Sequence, residues 1–283
     1  MSVATAAGSL PGMRRLGFGQ LLIAELRKLI TTRMWIVLMI ISAAAGAAGG
    51  GLYGAIVLLS AGGGSDLVLD KSSAIAMIYA GGNQFSRIIA IVAGAIAMGV
   101  EYRHKTLATT YLAEPRRSRV ALAKGGITLG FGLSLGLAST VLGFLVAVIF
   151  VLIKGGSLQL GSASSWQALL MNIVTIALWA MIGYGLGILI RNMIVSITVA
   201  VAFAYIVEPL LATLFTANHW TVLSHQMPTN ATNAMLGSGA SSLMQAAGLG
   251  DGQSAITGFV VLVAWAVVPA AVGYLLVLRR DID

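Results

Sequence analysis

The order of apolar and charged positions divides the chain into long uncharged tracts: 34–65, 72–86, 88–100, 125–153, 155–190, 192–207, 209–250 and 252–278. Within them the apolar residues run continuously instead of alternating. That predicts helices in an apolar medium and excludes the strands of an outer-membrane barrel. A bilayer is crossed by about 20 apolar helical residues, and six segments qualify: 34–59, 78–100, 126–153, 167–190, 193–217 and 256–278. The second half of tract 209–250 adds no seventh. It carries His219, Trp220, His225, Gln226, Pro228, Asn230 and Asn233, too many polar groups to leave in lipid. The loop 218–255 is therefore expected to hold short interfacial or re-entrant helices that cap an exit on the outer side. Glycines at helical spacing (Gly46, Gly50 and Gly54; Gly132 and Gly136; Gly183 and Gly187) mark close helix packing.

Basic residues orient these spans. Arg14, Arg15, Arg27, Lys28, Arg33, Arg103, Lys105, Arg116, Arg117, Arg119, Lys124, Arg191, Arg279 and Arg280 fall on one side, 14 of the 17 Lys and Arg. The positive-inside rule makes that side cytoplasmic, with both termini, the loop 101–125 and the tight 190–193 turn. Lys71 and Lys154 lie on the other side, and Arg87 falls inside the second span. Residues 1–13 contain no apolar core of a leader, so the first span is expected to act as its own insertion signal.

Composition agrees with the pattern. Hydrophobic residues make up 58% and charged residues 9%, with a mean hydropathy of +0.93; a soluble domain carries about 25% charged residues. The expected fold is all-α, a polytopic membrane protein with six transmembrane helices in a single domain, in the cytoplasmic membrane of a bacterium. The chain has no cysteine, hence no thiolate chemistry. His104, His219 and His225 are too scattered for a metal cluster. The net charge of +8 in a soluble protein would point to nucleic acid; beside membrane spans it does not, and no nucleic-acid partner is expected.

Two segments outside the bilayer carry pattern. In residues 16–32, Leu22, Leu26, Leu29 and Ile30 share one helical face, with Glu25, Arg27, Lys28 and Thr31 largely elsewhere. This predicts an amphipathic helix in the interface plane, with its bases near anionic headgroups of the membrane lipids. The loop 101–125 is far longer than the Arg191–Asn192 turn. Thr106 is placed to cap a short helix from Leu107 to Ala113 that Pro115 ends. Leu107 and Tyr111 then share a face at i, i+4, an exposed apolar patch flanked by bases that suits docking into a groove on another protein.

Within the spans two charges stand out. Arg87 lies in span two, and Glu208, followed by Pro209, in span five. A charge facing lipid costs about 2.5–3.5 kcal/mol, so each must face protein, water or an opposite charge. Both fall in the outer half of the membrane, where an Arg87–Glu208 pair, snorkelling to the outer surface, and a place on a translocation path or outer gate all remain open. Pro209 removes a helical donor and should kink or end its helix.

Catalytic motifs are absent or misplaced. Gly132-Leu133-Ser134-Leu135-Gly136 matches the G-x-S-x-G hydrolase pattern, yet no histidine, lysine or carboxylate lies at that depth to serve as base. The nearest approach to a Walker A loop is Asp70-Lys71-Ser72, with Asp70 where glycine is required. Asn230-Ala231-Thr232 is formally a glycosylation sequon and is read as accidental. No enzymatic activity is expected of this chain.

The segment AELRKLITTR at 24–33, the second span running into Glu101, and the run from Thr106 through Pro115, Arg119 and Lys124 resemble the permease subunits of type-2 ATP-binding-cassette (ABC) exporters. So does the order of six spans with a large outer loop before the last. The resemblance implies a half-transporter that pairs with a second permease, identical or homologous, and binds two separate ATPase subunits carrying the ATP and Mg. It makes 16–32 the connecting helix and Thr106 to Ala113 the coupling helix. Glu101, Thr106, Leu107, Tyr111, Leu112, Pro115 and Arg119 become the residues that meet or transmit the ATPase movement. It also places Arg87, Tyr205, Glu208 and Pro209 on the translocation path or outer gate, since spans two and five line the dimer cavity in that family. Leu249-Gly250-Asp251-Gly252-Gln253 faintly echoes the ABC signature sequence, on the side away from any ATPase. The substrates implied are amphipathic drugs, peptides, lipids or lipid-linked glycans. An ion-coupled secondary transporter using Glu208 is the alternative.

Overall fold

The computed structural model describes residues 17–60, 72–153, 155–237 and 253–278. Every element in them is helical: α1 Phe18–Thr31, α2 Met34–Ser60, α3 Ser72–Ala80, α4 Asn83–His104, α5 Thr106–Ala113, α6 Arg117–Ile153 and α7 Ala163–Leu189. After these come α8 Met193–Ala202, α9 Glu208–Ala217, α10 Thr221–His225, α11 Pro228–Leu236 and α12 Ala255–Gly273. Two π turns, Phe203–Val207 and Tyr274–Leu278, join α8 to α9 and extend α12. Six stretches are long and apolar enough to cross a bilayer, in the order expected: Met34–Ile56, Ile75–His104, Arg117–Ile153, Ala163–Leu189, Met193–Ala217 and Ala255–Val277. The chain is a multi-pass helical membrane protein. Arg14, Arg15, Lys71, Lys154, Arg279, Arg280 and both termini lie outside the described residues, as do Asp70 and 249–252.

Local chemistry sets the boundaries. Ser162, Asn192 and Ser254 cap α7, α8 and α12, each accepting from backbone N–H groups of the first turn, as short polar side chains do. Gly237, at φ 57°, ends α11 in the left-handed region that glycine enters freely. Lys105 takes φ 54° and turns α4 into α5. Span two is not one helix: it breaks at Gly81-Gly82 between α3 and α4.

The buried centre is α7, which packs against α4, α6 and α12, while α2 lies along α6. Close approach depends on missing side chains. A Cβ at Gly132 would sit 2.8 Å from the Ala177 Cα, and one at Gly136 2.7 Å from the Ile173 carbonyl oxygen. At Gly183 it would overlap the Ile91 carbonyl, and at Gly46 that of Ser139. Ser134, of the hydrolase-like pattern, spends its hydroxyl on the Phe131 carbonyl of its own helix at 2.7 Å. Polar residues also join the helices: Asn83 donates to the Asn172 Oδ1 and the Thr175 Oγ1, both at 2.8 Å, and Asn172 to the Thr140 Oγ1 at 2.9 Å. Such interhelical hydrogen bonds replace the hydrophobic drive that lipid cannot provide.

Asn83–Asn172, Ile91–Gly183 and Ala95–Gly187 contacts make α4 and α7 parallel. Their C-terminal ends meet α1, α5, the start of α6 and the 190–192 turn at one end of the bundle, hereafter the basic end. At the far end α10 and α11 fold back inward. Trp179, 16 residues into α7 and thus about 24 Å along it, donates to the Thr232 Oγ1 of α11 at 3.0 Å. Gln167, near the start of α7, reaches the carbonyl of Met235 at 3.1 Å. So α11 begins deep in the bundle and runs out of it. Ala231, Thr232, Met235 and Leu236 are buried, which makes α11 re-entrant.

Candidate functional site

At the basic end four elements converge on two carboxylates and two ammonium groups. Lys124 of α6 gives Nζ to the Glu25 Oε2 of α1 at 2.5 Å and to the Glu101 Oε1 of α4 at 2.9 Å. Lys28 of α1 reaches the Glu25 Oε1 at 2.7 Å and the Glu101 Oε1 at 3.1 Å. Thr106, first residue of α5, donates its hydroxyl to the Glu101 Oε2. Glu25, Glu101 and Lys124 are buried, while the Lys28 side chain stays 46% exposed. Burial acts to lower the Lys28 ammonium, but the Glu25 and Glu101 carboxylates outweigh it and hold its pKa above the ordinary 10.5. Each charge neutralises a neighbour from another helix, so the cluster acts as a clasp. Removing Lys124, the buried cation shared by both carboxylates, leaves buried charge poorly paired.

One position departs from the expected faces. The side of α1 that meets the bundle carries Leu21 and Glu25, both buried, while Leu26 and Ile30 of the apolar stripe, with Phe18 and Ile23, are exposed, as a stripe meant for the acyl boundary would be. Glu25 is drawn inward because Lys124 waits there. Thr106 is not the cap but the first helical residue, after Lys105; its hydroxyl goes to Glu101.

The coupling-helix patch is also redistributed. Leu107 is buried against Met98, Tyr184 and Ile188, and Tyr111 packs on the same cluster. The Arg117 guanidinium lies 5.3 Å over the Tyr111 ring. Burial raises the Tyr111 hydroxyl to about 12, with Arg117 opposing. The face expected to be exposed is thus the anchor: a two-turn helix cannot hold its place without burying its largest apolar side chains. What α5 presents outward is Ala108, Thr109 and Leu112, and Leu112 is 79% exposed. Pro115 follows the helix end as expected, and Arg119 pairs with Glu114 at 3.7 Å. Beneath α5, the Tyr184 hydroxyl donates to the Ala121 carbonyl at 2.8 Å and the Tyr102 hydroxyl to that of Ile188 at 3.1 Å, tying α4, α6 and α7 together.

The second arrangement lies deeper. Arg87 is about 25 Å along α4 from His104, and Glu208 about 22 Å along the fifth span from Met193, so both sit at one level just past the middle. They form no direct ion pair. Arg87 gives Nη1 to the Thr229 Oγ1 at 2.9 Å and Nε to the Tyr205 hydroxyl at 3.2 Å. Its guanidinium stacks 5.3 Å from the Trp179 ring and 5.2 Å from that of Tyr205. Tyr205 donates onward to the Gln84 carbonyl at 2.6 Å. Glu208, fully buried, accepts from the Thr229 backbone N–H at 3.0 Å and hydroxyl at 2.6 Å. Its carboxylate therefore sits at the N-terminus of α11, where free N–H groups and the helix dipole favour an anion. Pro209 does not end the helix: the turn before it widens, the Glu208 N–H bonding back to the Phe203 carbonyl. Neither charge snorkels.

Arg87, Tyr205 and Glu208 are thus brought together, and so are Glu101 and Thr106. Sequence reading missed Glu25, Lys28 and Lys124 as partners of Glu101, and Thr229 as the bridge. The i, i+3 pair Glu25–Lys28 was visible, but it reads as an exposed helix pair until α6 is placed against it. Among the described residues no group of three or more His, Asp or Glu converges as metal ligands would. No protein-family model matches this chain, and no curated protein matches it.

Proposed function

We propose that this chain is the membrane-spanning permease subunit of an ATP-driven exporter of the type-2 ABC kind, paired with a second permease and powered by separate ATPase subunits. In this reading the basic end is cytoplasmic, α1 is the connecting helix and α5 the coupling helix. The observation that carries it is the clasp. A two-turn helix with an outward Leu112 is bound through Thr106 and Glu101 to α1, α4 and α6, so a push on α5 is delivered to three helices at once instead of being lost in a loose loop. ATP-driven closure of the partner subunits then rocks the bundle and releases an amphipathic substrate at the far end. Ala108, Thr109 and Leu112 meet the ATPase; Leu107, Tyr111, Pro115 and Arg119 hold α5 in shape.

Tagged protein purified from its native membrane tests this. An ATPase subunit should accompany the wild type and be lost from Leu112→Asp at unchanged membrane abundance. Leu107→Asp, by contrast, should lower abundance itself.

One observation favours a second reading, the ion-coupled transporter: Glu208 is a buried intramembrane carboxylate beside the π turn of span five, facing the start of the re-entrant α11. Against it, both carboxylate oxygens are occupied by Thr229. Solute uptake or efflux by the chain alone in proteoliposomes, driven by a proton or sodium gradient and abolished by Glu208→Gln, would establish the second reading and remove the first.

A further inference from the structure

Beside the clasp lies a crevice of about 400 Å³ between α1, α2, α4 and α6, within the size range of small-molecule sites, about 300–1,000 Å³. Its walls are apolar: Trp35 and Leu38 of α2, Ile96 and Ala97 of α4, Ile127 and Phe131 of α6. Its polar residues gather at the end near α1 and α5, where Lys28 and His104 join Glu25, Glu101 and Lys124 on the lining. The cavity is therefore amphipathic in the sense of a lipid, polar at the bundle end and apolar toward the middle.

The charge at that end selects among lipids. Within the clasp two carboxylates cancel two ammonium groups, and each Lys124 contact is already spent inside the protein. Lys28 differs. Its ammonium uses two N–H groups on Glu25 and Glu101, leaving a third, and its side chain is half exposed. His104, also exposed, lines the same crevice. Arg27, Arg33, Arg103 and Lys105, neighbours of these lining residues along the chain, are all exposed, while among the described residues the one other acidic residue at the basic end, Glu114, is buried and paired with Arg119. A surplus of cations around a half-committed ammonium calls for an anion. Basic pockets between transmembrane helices take anionic lipid headgroups for this reason. The exposed Phe18, Ile23, Leu26 and Ile30 of α1 put this helix at the membrane surface, where headgroups are at hand.

We propose that the crevice holds one anionic glycerophospholipid from the leaflet at the basic end, its acyl chain between α2, α4 and α6 and its phosphate on Lys28 and His104. Because Lys28 also belongs to the clasp, the bound phosphate shares its ammonium with Glu25 and Glu101, so lipid charge bears directly on how firmly α1 holds α4. The site needs only the membrane placement of α1 and stands apart from the ATPase reading.

Native mass spectrometry of the full-length, delipidated protein titrated with dioleoyl phosphatidylglycerol or dioleoyl phosphatidylcholine tests it. The first phosphatidylglycerol should bind about tenfold tighter than the choline lipid. Lys28→Gln with His104→Gln should erase that preference, Lys28→Arg should keep it, and Ala97→Phe, which fills the crevice without touching the clasp, should weaken both lipids. Equal affinity for the two lipids overturns the proposal. So does a preference that survives the double substitution, or full displacement of phosphatidylglycerol by inorganic phosphate, which would mark a site for a soluble anion. If the double variant proves unstable, Ala97→Phe alone decides: unchanged first-lipid binding contradicts the site.

Discussion

The clasp at the basic end and the Arg87–Glu208 arrangement in the middle bury similar groups by opposite means. In the clasp, charges from α1, α4 and α6 touch directly, and among the described residues the Lys124 ammonium pairs with the two carboxylates. In the middle, the Thr229 hydroxyl stands between the charges, and aromatic rings cover the guanidinium. Direct pairing makes each buried member indispensable to the next; an interposed hydroxyl and rings let each charge be satisfied by neutral groups. The first arrangement joins three helices through their charges. The second holds a re-entrant helix in place.

The largest expected effect lies in the clasp. Lys124→Met leaves Glu25 and Glu101 sharing only the half-exposed Lys28, and should destabilise by about 3–5 kcal/mol, read as denaturant or thermal unfolding of the solubilised protein. Arg87→Met should cost less, about 2–3 kcal/mol, since it forfeits ring contacts and two hydrogen bonds while Glu208 keeps both of its own. A larger loss for Arg87→Met than for Lys124→Met would break the comparison. Thr229→Val should cost about 1–3 kcal/mol by removing the hydroxyl from both charges, and Thr229→Ser should restore it.

Lys28→Met should be the mildest, under about 1 kcal/mol, because water already screens this side chain. Its pH dependence has a definite sign. A lysine whose folded pKa is raised contributes its stabilisation fully below the ordinary value of 10.5 and loses it as pH climbs through the raised value. The gap in thermal midpoint between wild type and Lys28→Met should therefore be constant from neutral pH to about 10 and close above it. A gap that widens with alkalinity contradicts the assignment.

Much of this architecture is legible in the chain because lipid imposes a simple rule: backbone without water must be helical, and charge must avoid the spans. The six spans and the glycine contacts follow from it, as does a loop 218–255 with short helices; that α11 is re-entrant rather than interfacial does not. Which side of a surface helix faces inward does not. Leu107 and Tyr111 look like a docking patch when α5 is considered alone, and only the floor made by Met98, Tyr184 and Ile188 shows that they anchor it. Glu25 looks exposed until Lys124, 99 residues away in the chain, is brought against it. Thr229 carries no charge and no motif, and its role arises solely from α11 starting deep in the bundle. Side chains that answer to the solvent are readable from pattern; those that answer to a distant partner are not.

The proposed coupling role of α5 is tested most directly by ATP hydrolysis in material purified from native membranes, measured for the wild type, Leu112→Asp and Thr106→Val. An associated ATPase is expected in the wild type, none with Leu112→Asp, and with Thr106→Val an ATPase that still binds but whose hydrolysis no longer responds to transported substrate. A wild-type chain that purifies free of any ATPase and moves solute by itself would contradict that role.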